Sequence, residues 1–158
     1  MGKIIVGEDM TLDGVMEGNE KWRFGYASDD LAKYDMEKVN TNALLLGRKT
    51  YEIFASFWPN QKHNEFGIAD TLNNLPKYVV SSTMKEANWN NTTIVKGDIA
   101  NEIGRLKQNF EGSIGVTGSA LLVQLLTKNQ LVDQYDLLVF PIILGQGKRL
   151  FEGEPVIL

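Results

Sequence analysis

The residues best suited to bind an anion follow the apolar run "ALLL", at Gly47, Arg48, Lys49 and Thr50. This segment leads from an apolar run into an amphipathic stretch, a pattern typical of a strand followed by a helix. Glycine lets a ligand approach the backbone, a helix N-terminus favours an anion, and arginine can bind a phosphate through two hydrogen bonds. Because cations are unfavourable at a helix N-terminus that lacks an anion, the segment favours a phosphate site over a plain connecting turn.

Two further corners have a similar character. "VTGSALL" places Gly118 and Ser119 between a strand and a helix, where the serine hydroxyl either caps the helix or contacts a phosphate. Ser81 and Ser82 follow the apolar "YVV", and their hydroxyls either bind a phosphate or ribose or complete the turn. Three such corners on one edge of a sheet indicate an extended polyanionic ligand such as a dinucleotide.

The elements that must position these corners alternate along the chain. Strands are predicted in "KIIVGEDM", "ALLL", "KYVVSS", "TTIVKG", "SIGVTG" and "QYDLLVFPIIL". Helices are predicted in "ASDDLAKYDMEKVN", "KTYEIFASFW", "DIANEIGRLKQN" and "SALLVQLLTKN", the first and third capped by Ser28 and Asp98. The uniformly apolar "ALLL" suits a strand covered on both faces. This alternation predicts an α/β fold with a largely parallel sheet.

Composition narrows the possible functions. The 158 residues, with 43% hydrophobic and 23% charged residues, predict a single globular domain over 1–158. A net charge of −4 argues against nucleic acid as a partner, and the absence of cysteine excludes disulfides, thiolate metal sites and a cysteine nucleophile. No cluster of histidines and carboxylates has the spacing of a metal site. Without a signal peptide or an apolar run of membrane length, we expect a cytoplasmic protein with no membrane partner.

Acidic residues raise two further questions: whether Asp30 has a catalytic role, and whether the chain has a different fold with a phosphate site near Glu8 and Asp9. Asp30 is a candidate buried acid, but a role at the positive end of its helix explains it equally well. A flavodoxin-like or Rossmann-type domain would place a phosphate after the first strand. The residues at that point are Glu8 and Asp9, which would repel a phosphate, so this alternative ranks last.

In their order along the chain, these segments resemble the dihydrofolate-reductase-like family, and in particular its branch related to the reductase domain of bifunctional riboflavin-biosynthesis proteins. The matching segments are "TLDGVM", "ALLLGRKTYEIF", "WP", "LPKYVVSST", "IGVTGSALLVQLL" and "LVDQYDLLVFPIILGQGKRLF". They cover nearly the whole chain. The resemblance implies a three-layer fold, with a central, mainly parallel sheet flanked by helices, and NADPH as the cofactor.

The resemblance also implies a role for each corner. The phosphates of NADPH would lie against Gly47–Thr50, with Arg48 near the adenosine 2′-phosphate. Ser81, Ser82 and Lys96 would add polar and basic groups at that same end. The pyrophosphate would bind the corner made by Thr117, Gly118, Ser119 and Ala120.

The nicotinamide and the substrate would meet at the first strand. The resemblance implies that Val6 and Gly7 face the nicotinamide and that Leu12, Asp13 and Gly14 border both ligands. Asp13, Asp30 or water would then donate the proton. Asp30 falls near the family's acid on the first helix only if one residue is inserted.

The predicted function is an NADPH-dependent reductase acting on a small pteridine- or pyrimidine-like heterocycle, similar to 5-amino-6-(5-phosphoribosylamino)uracil reductase. The alternative is a nucleotide-binding or regulatory module of the same fold without catalysis, because Thr117-Gly118-Ser119 replaces the family's paired glycines. The resemblance also implies either closing strands beyond "GEPVIL" or an edge completed by a partner chain. A homodimer is also consistent with the family resemblance.

Overall fold

A six-stranded parallel sheet forms the centre of the structure, a computed structural model that describes residues 1–64 and 67–158. The strands are β1 (Lys3–Thr11), β2 (Ala43–Gly47), β3 (Lys77–Val80), β4 (Thr92–Val95), β5 (Ser113–Val116) and β6 (Gln134–Phe140). Their order across the sheet is β4-β3-β2-β5-β1-β6, and each of these neighbours pairs in parallel. The predicted parallel sheet is therefore confirmed.

Helices connect the strands. In the described part of the chain they are α1 (Asn19–Trp22), α2 (Asp29–Lys38), α3 (Arg48–Phe57), α4 (Ile68–Asn74), α5 (Ile99–Asn109) and α6 (Ala120–Lys128). The sequence predicted α2, α3, α5 and α6. It missed α1 and α4, which at 4 and 7 residues are too short to show helical periodicity. Among the helices described, none is long and apolar enough to cross a membrane.

The helices cover both faces of the sheet, so the chain has two hydrophobic cores. One core joins α5 and α6 to the sheet and contains Ile4, Val6, Ala43, Leu45, Ile103, Ile114, Val116, Leu122, Val123, Leu126 and Leu150. The other joins α3 and α4 to the opposite face and contains Leu44, Leu46, Tyr51, Leu72, Val79 and Trp89. This arrangement is the three-layer α/β architecture that the sequence predicted.

Strand β2 shows why a short apolar run suffices for a central strand. Ala43 and Leu45 point to the α5–α6 core, and Leu44 and Leu46 point to the α3–α4 core. All four residues are at most 3% exposed. Since burying one leucine side chain contributes about 2 kcal/mol, the alternation fixes the register of β2 firmly. The prediction of a strand covered on both faces is confirmed.

Both predicted helix caps are present. The Oγ of Ser28 accepts a hydrogen bond from the amide of Leu31 at 3.2 Å, and the carboxylate of Asp98 accepts one from the amide of Asn101 at 3.3 Å. Each cap satisfies one of the amides that a first helical turn leaves unpaired.

The carboxyl half of β1 extends beyond its neighbour β5. Residues Lys3–Val6 pair with β5, which ends at Val116, whereas Ile5–Thr11 pair with β6 on the other side. From Gly7 onward, β1 therefore has an open side next to the corner that follows β5. This opening is the cleft in which the candidate site lies.

Candidate functional site

The strand order places the predicted corners in one unbroken row. Lys96 follows β4, Ser81 follows β3, Arg48 follows β2 and Thr117 follows β5, and the row ends at Gly7 on β1. With neighbouring strands about 4.8 Å apart, the row spans about 19 Å. A ligand that contacts all of these corners must be extended, and the corners offer mainly cations, hydroxyls and amides.

The β2–α3 and β5–α6 corners are locked together through Ser119. Its Oγ accepts a hydrogen bond from the amide of Gly47 at 2.9 Å and lies 2.9 Å from the Thr50 hydroxyl oxygen. A Cβ on Gly47 would overlap the Ser119 side chain, and one on Gly118 would overlap that of Thr50. The two glycines are therefore required for this close approach, and the two corners form one rigid platform.

Ser119 does not cap α6, which decides one of the two roles left open by the sequence. Its backbone has φ 59°, in the left-handed region, and its side chain makes no capping hydrogen bond. A left-handed residue other than glycine is uncommon and costs free energy unless its surroundings impose it. Here the bonds to Gly47 and Thr50 impose it. As a result, no side chain from the cap position occupies the amides of the first turn of α6.

Arg48 and Lys49 form the exposed start of α3. Arg48 Nη1 lies 3.4 Å from Glu52 Oε1, and both side chains are about half exposed, at 47% and 53%. An exposed pair of this kind contributes at most about 0.5 kcal/mol, so Arg48 can leave it for a stronger anion. The two cations at a positive helix end remain explicable as ligands for an anion.

At the β3 and β4 corners, the hydroxyl of Ser81 is already hydrogen-bonded, whereas Ser82 and Lys96 are exposed. Ser81 is 6% exposed, and its Oγ accepts hydrogen bonds from the amides of Thr83 at 3.3 Å and Met84 at 3.0 Å. Its hydroxyl therefore completes the turn. Ser82 and Lys96 are exposed beside it, Lys96 directly after β4. Contacts of these residues with a cofactor stay predictions.

A cavity of about 300 Å³ lies between α2, α4 and the cleft side of the sheet. Its floor contains Gly7 and Gly115, neither of which has room for a side chain: a Cβ would lie 3.3 Å from the Lys38 stem and 3.0 Å from the Thr41 side chain, respectively. Its apolar wall contains Ile5, Val39, Leu44, Phe54, Trp58, Ile68 and Leu72, and its polar groups include Asp35, Lys38, Thr117 and Asp136. The cavity suits a small, flat, partly polar ligand.

An ion-pair network centred on the buried Asp9 reaches the cavity through Asp35 and Lys38. Asp9, with its side chain 5% exposed, lies 3.1 Å from Lys38 Nζ and 2.6 Å from Arg23 Nε. A second nitrogen of Arg23 reaches Asp35 at 2.5 Å. Lys38 has three ammonium protons, and the Asp9 bond uses one of them. Lys38 is the single cation among the described residues that line the cavity.

Sequence reasoning missed this network, although α2 carried a signal for it. Asp35 and Lys38 lie on the same side of α2 as Leu31 and Tyr34. Charged residues at i and i+3 on the inner side of a helix indicate a buried partner. That partner is Asp9, which the sequence analysis considered only as a group that repels phosphate.

Glu8 points to the other side of β1, because successive side chains on a strand alternate between faces. It is 4% exposed, and its Oε1 has no hydrogen-bond partner. Burial raises the pKa of the Glu8 carboxyl to about 8, although the charge of Lys38 and the main-chain amide of Gly118 both act to lower it. At neutral pH the carboxyl is therefore mainly protonated.

Asp13 holds two loops together. Its carboxylate accepts hydrogen bonds from the Thr11 hydroxyl at 2.5 Å and from the amides of Leu144 at 3.3 Å and Gly145 at 2.8 Å. These bonds lower the pKa of Asp13 to about 2, so the group is ionised at neutral pH. Asp13 is not among the described residues that line the cavity.

Asp30 lies exposed in the first turn of α2, and it too is outside the described lining of the cavity. The catalytic roles of Asp13 and Asp30 stay predictions, and the structure brings neither carboxylate to Gly7. Val6 is fully buried in the α5–α6 core, so only its main chain can face the cleft. Ala120 is 2% exposed and likewise offers only its amide.

The fold is dihydrofolate-reductase-like. Residues 2–158 match the RibD C-terminal domain family, and the chain belongs to this family. It is 29% identical over 153 residues to the uncharacterized protein YyaP of Bacillus subtilis, covering 94% of this chain and 80% of that protein.

Solved structures agree on the fold. The chain is similar to a putative riboflavin biosynthesis protein from Shewanella sp. PV-4, with a TM-score of 0.72 and 22% identity over 96% of this chain and 84% of the other. It is also similar to dihydrofolate reductase from Enterococcus faecalis complexed with NADP(H), with a TM-score of 0.64 and 18% identity over 96% of this chain and 77% of the other. A third neighbour is the Saccharomyces cerevisiae riboflavin biosynthesis reductase Rib7. Its TM-score is 0.56 and its identity 14%, over 98% of this chain and 80% of the other.

Proposed function

We propose that this protein is an NADPH-dependent reductase that transfers a hydride to a small heterocycle of the pteridine or pyrimidine type. The observation that carries the proposal is the row of anion-binding corners along one sheet edge, which ends at a glycine-floored cavity. The family and its reductase neighbours support an oxidoreductase. The substrate class follows from the likeness to reductases of riboflavin biosynthesis.

The row of corners would hold the phosphates of the cofactor, the adenosine 2′-phosphate at one end and the pyrophosphate at the other. Arg48, with Lys49, Ser82 and Lys96 near it along the edge, would bind the adenosine 2′-phosphate through charge-assisted hydrogen bonds. Gly47, Thr50 and Ser81 would keep this end in shape through the bonds already described.

The Thr117–Ala120 corner would hold the pyrophosphate. The amides at the start of α6 carry no side-chain cap, and the helix dipole favours an anion there. Gly118 makes room for the Thr50 side chain, which holds this corner against the start of α3. The residues present thus fit the NADP(H) that the E. faecalis neighbour binds.

The cavity would hold the ring that accepts the hydride. When bound, NADPH supplies the hydride; the protein aligns the acceptor and excludes water. Phe54 and Trp58 offer aromatic surface for the ring, while Asp35 and Asp136 can accept hydrogen bonds from its N–H groups. The stem of Lys38 packs over Gly7, 3.3 Å from where a Cβ would lie, so this glycine brings the Lys38 side chain close to β1.

The proton of the reduction needs a donor beside Gly7. We assign this role to Lys38 or to a water molecule next to it, because Lys38 lines the cavity and keeps two ammonium protons free of Asp9. Asp30 is exposed in the first turn of α2 and is outside the described lining of the cavity. Asp13 is already ionised and bonded to three donors.

The proposal is tested by titration with NADPH and NADH, followed by a screen for loss of NADPH absorbance with pterins, pyrimidines and simple carbonyl compounds. We expect tight binding of NADPH, weaker binding of NADH, and turnover with a heterocycle. Binding without turnover across the panel would favour the alternative, a nucleotide-binding module without catalysis. The absence of Asp13 and Asp30 from the described lining of the cavity is the observation that supports this alternative.

A further inference from the structure

The buried carboxyl of Glu8 has no role in the reductase site as proposed, yet it lies at its phosphate end. Val6 of β1 pairs with Val116 at the end of β5, so Glu8, two residues further along β1, lies beside Gly118 at the corner that follows β5. Only 4% of the residue is exposed, and Oε1 has no hydrogen-bond partner. The amide that Glu8 faces thus belongs to the corner where a phosphate would bind.

The charged groups around Glu8 come from three elements. Lys38 and Tyr34 approach from α2, Asp9 is its neighbour on β1, and Asp136 lies on β6 opposite Gly7. The residues of β5, "SIGV", and of the first turn of α6, "ALLV", contain no ionisable side chain. Lys38 is the one cation among these groups, and it already binds Asp9.

An ionised Glu8 and a bound phosphate would therefore compete for the same amide. A negative charge at Glu8 would attract the Gly118 N–H and repel a second anion through a poorly solvated region, where charges interact strongly. A neutral carboxyl has neither effect, and its O–H can donate a hydrogen bond to a phosphate oxygen.

We propose that Glu8 is a proton-controlled competitor at the Gly118 corner, which leaves the amide to a cofactor phosphate when neutral and takes it when ionised. This inference rests on the proposed function, since it requires a dinucleotide at the corner. It makes Glu8 a determinant of cofactor affinity, and cofactor binding stabilises the protonated form of Glu8. Binding therefore takes up a proton where Glu8 is partly ionised.

The expected pH dependence follows from the pKa of about 8. Above this pH the affinity for NADPH falls about tenfold per pH unit, so that between pH 7 and pH 9.5 it falls about 30-fold. Glu8→Gln keeps the shape of the side chain and cannot ionise. This variant retains its affinity at pH 9.5 apart from any loss caused by the basic residues of the site.

The experiment is a fluorescence titration with NADPH at pH 7, 8, 9 and 9.5 for the wild type, Glu8→Gln and the control Glu111→Gln. Glu111 is an exposed acid between α5 and β5, at the opposite end of the sheet. We expect the wild type and the control to lose affinity together while Glu8→Gln stays nearly flat. Calorimetry in two buffers of different ionisation enthalpy should show proton uptake at pH 8 that Glu8→Gln lacks.

Other outcomes separate the two proposals. If Glu8→Gln followed the wild-type pH dependence, the role of Glu8 would be wrong while NADPH binding stood. If no variant bound NADPH at any pH, both proposals would fail. A separate NMR titration of the Glu8 side-chain carboxyl in the free protein needs no cofactor, and ionisation near pH 4.5 would overturn the inference alone. If Glu8→Gln did not fold, Glu8→Met would take its place.

Discussion

The two ends of the proposed site are built in different ways. The phosphate end consists of strand–turn–helix corners, each made by four or five consecutive residues such as Gly47–Thr50 and Thr117–Ala120. The acceptor end is assembled from side chains far apart in sequence, with Asp9 on β1, Arg23 after α1, and Asp35 and Lys38 on α2. Short segments of consecutive residues thus form the phosphate end, whereas the acceptor end, where the reaction would occur, depends on tertiary contacts.

The strongest way to test this division is Lys38→Met, which removes the cation that lines the cavity and keeps an unbranched apolar side chain over Gly7. Asp9 retains Arg23 as its counter-ion, so the variant should fold. We expect turnover with the heterocycle found in the screen to fall about 100-fold or more, the usual effect of losing a proton donor. The affinity for NADPH should stay within about twofold, because Lys38 lies outside the phosphate corners.

Rescue distinguishes a proton donor from a structural lysine. Small primary amines should restore part of the activity of Lys38→Ala, whose truncated side chain leaves room in the cavity. A merely structural lysine would show no rescue. Equal loss of NADPH affinity and turnover in Lys38→Met would show that the two ends are not separate.

The opposite test is Arg48→Ala at the phosphate end. Charge-assisted hydrogen bonds to a phosphate contribute about 1.5–3 kcal/mol, so the affinity for NADPH should fall about 10- to 100-fold. NADH lacks the 2′-phosphate, and its affinity should not change. The matched control is Arg105→Ala on α5, an exposed arginine that pairs with Glu102 at 3.1 Å. Unchanged discrimination between NADPH and NADH in Arg48→Ala would contradict the role of Arg48.

A smaller effect is expected where the two corners meet. Gly118 has φ +65°, and a Cβ there would overlap the Thr50 side chain. We therefore expect Gly118→Ala to lower the free energy of unfolding by about 1–3 kcal/mol and to weaken NADPH binding. Gly104→Ala on α5 is the control, because a Cβ there meets nothing within 4 Å. It should stabilise the protein by about 0.5–1 kcal/mol in urea unfolding.

The sequence predicted those features that short segments encode. The apolar alternation of β2, the caps Ser28 and Asp98, and the glycine corners could all be recognised within windows of about ten residues. Their joint order also indicated the fold, through the resemblance to the dihydrofolate-reductase-like family.

The remainder depended on contacts that no local pattern contains. Ser119 was expected to serve α6 or a phosphate, but it bonds to Gly47, 72 positions away. Glu8 and Asp9 are adjacent in sequence, yet Glu8 lies beside the phosphate corner and Asp9 pairs with Arg23 and Lys38. Alternation along β1 indicates opposite faces, but not which helix covers each one. The acceptor end therefore had to be seen in three dimensions.

The smallest predicted effect concerns Asp13. This residue follows β1 and binds the loop at Leu144 and Gly145 through its carboxylate. Because its pKa is lowered to about 2, its contribution to stability is fully present above the usual value of 3.8 and is lost as the pH falls through 2. In urea unfolding, the difference in midpoint between wild type and Asp13→Asn should be constant above pH 5 and shrink below pH 4.

This variant also examines whether Asp13 acts in catalysis. An anchor that fixes the loop changes stability and leaves the pH dependence of turnover unchanged, whereas a proton donor changes the pH dependence itself. We expect Asp13→Asn to keep the wild-type pH profile with a modest loss of rate. A profile that lost its acidic limb would instead move the chemistry away from Lys38 and join Asp13 to the acceptor end.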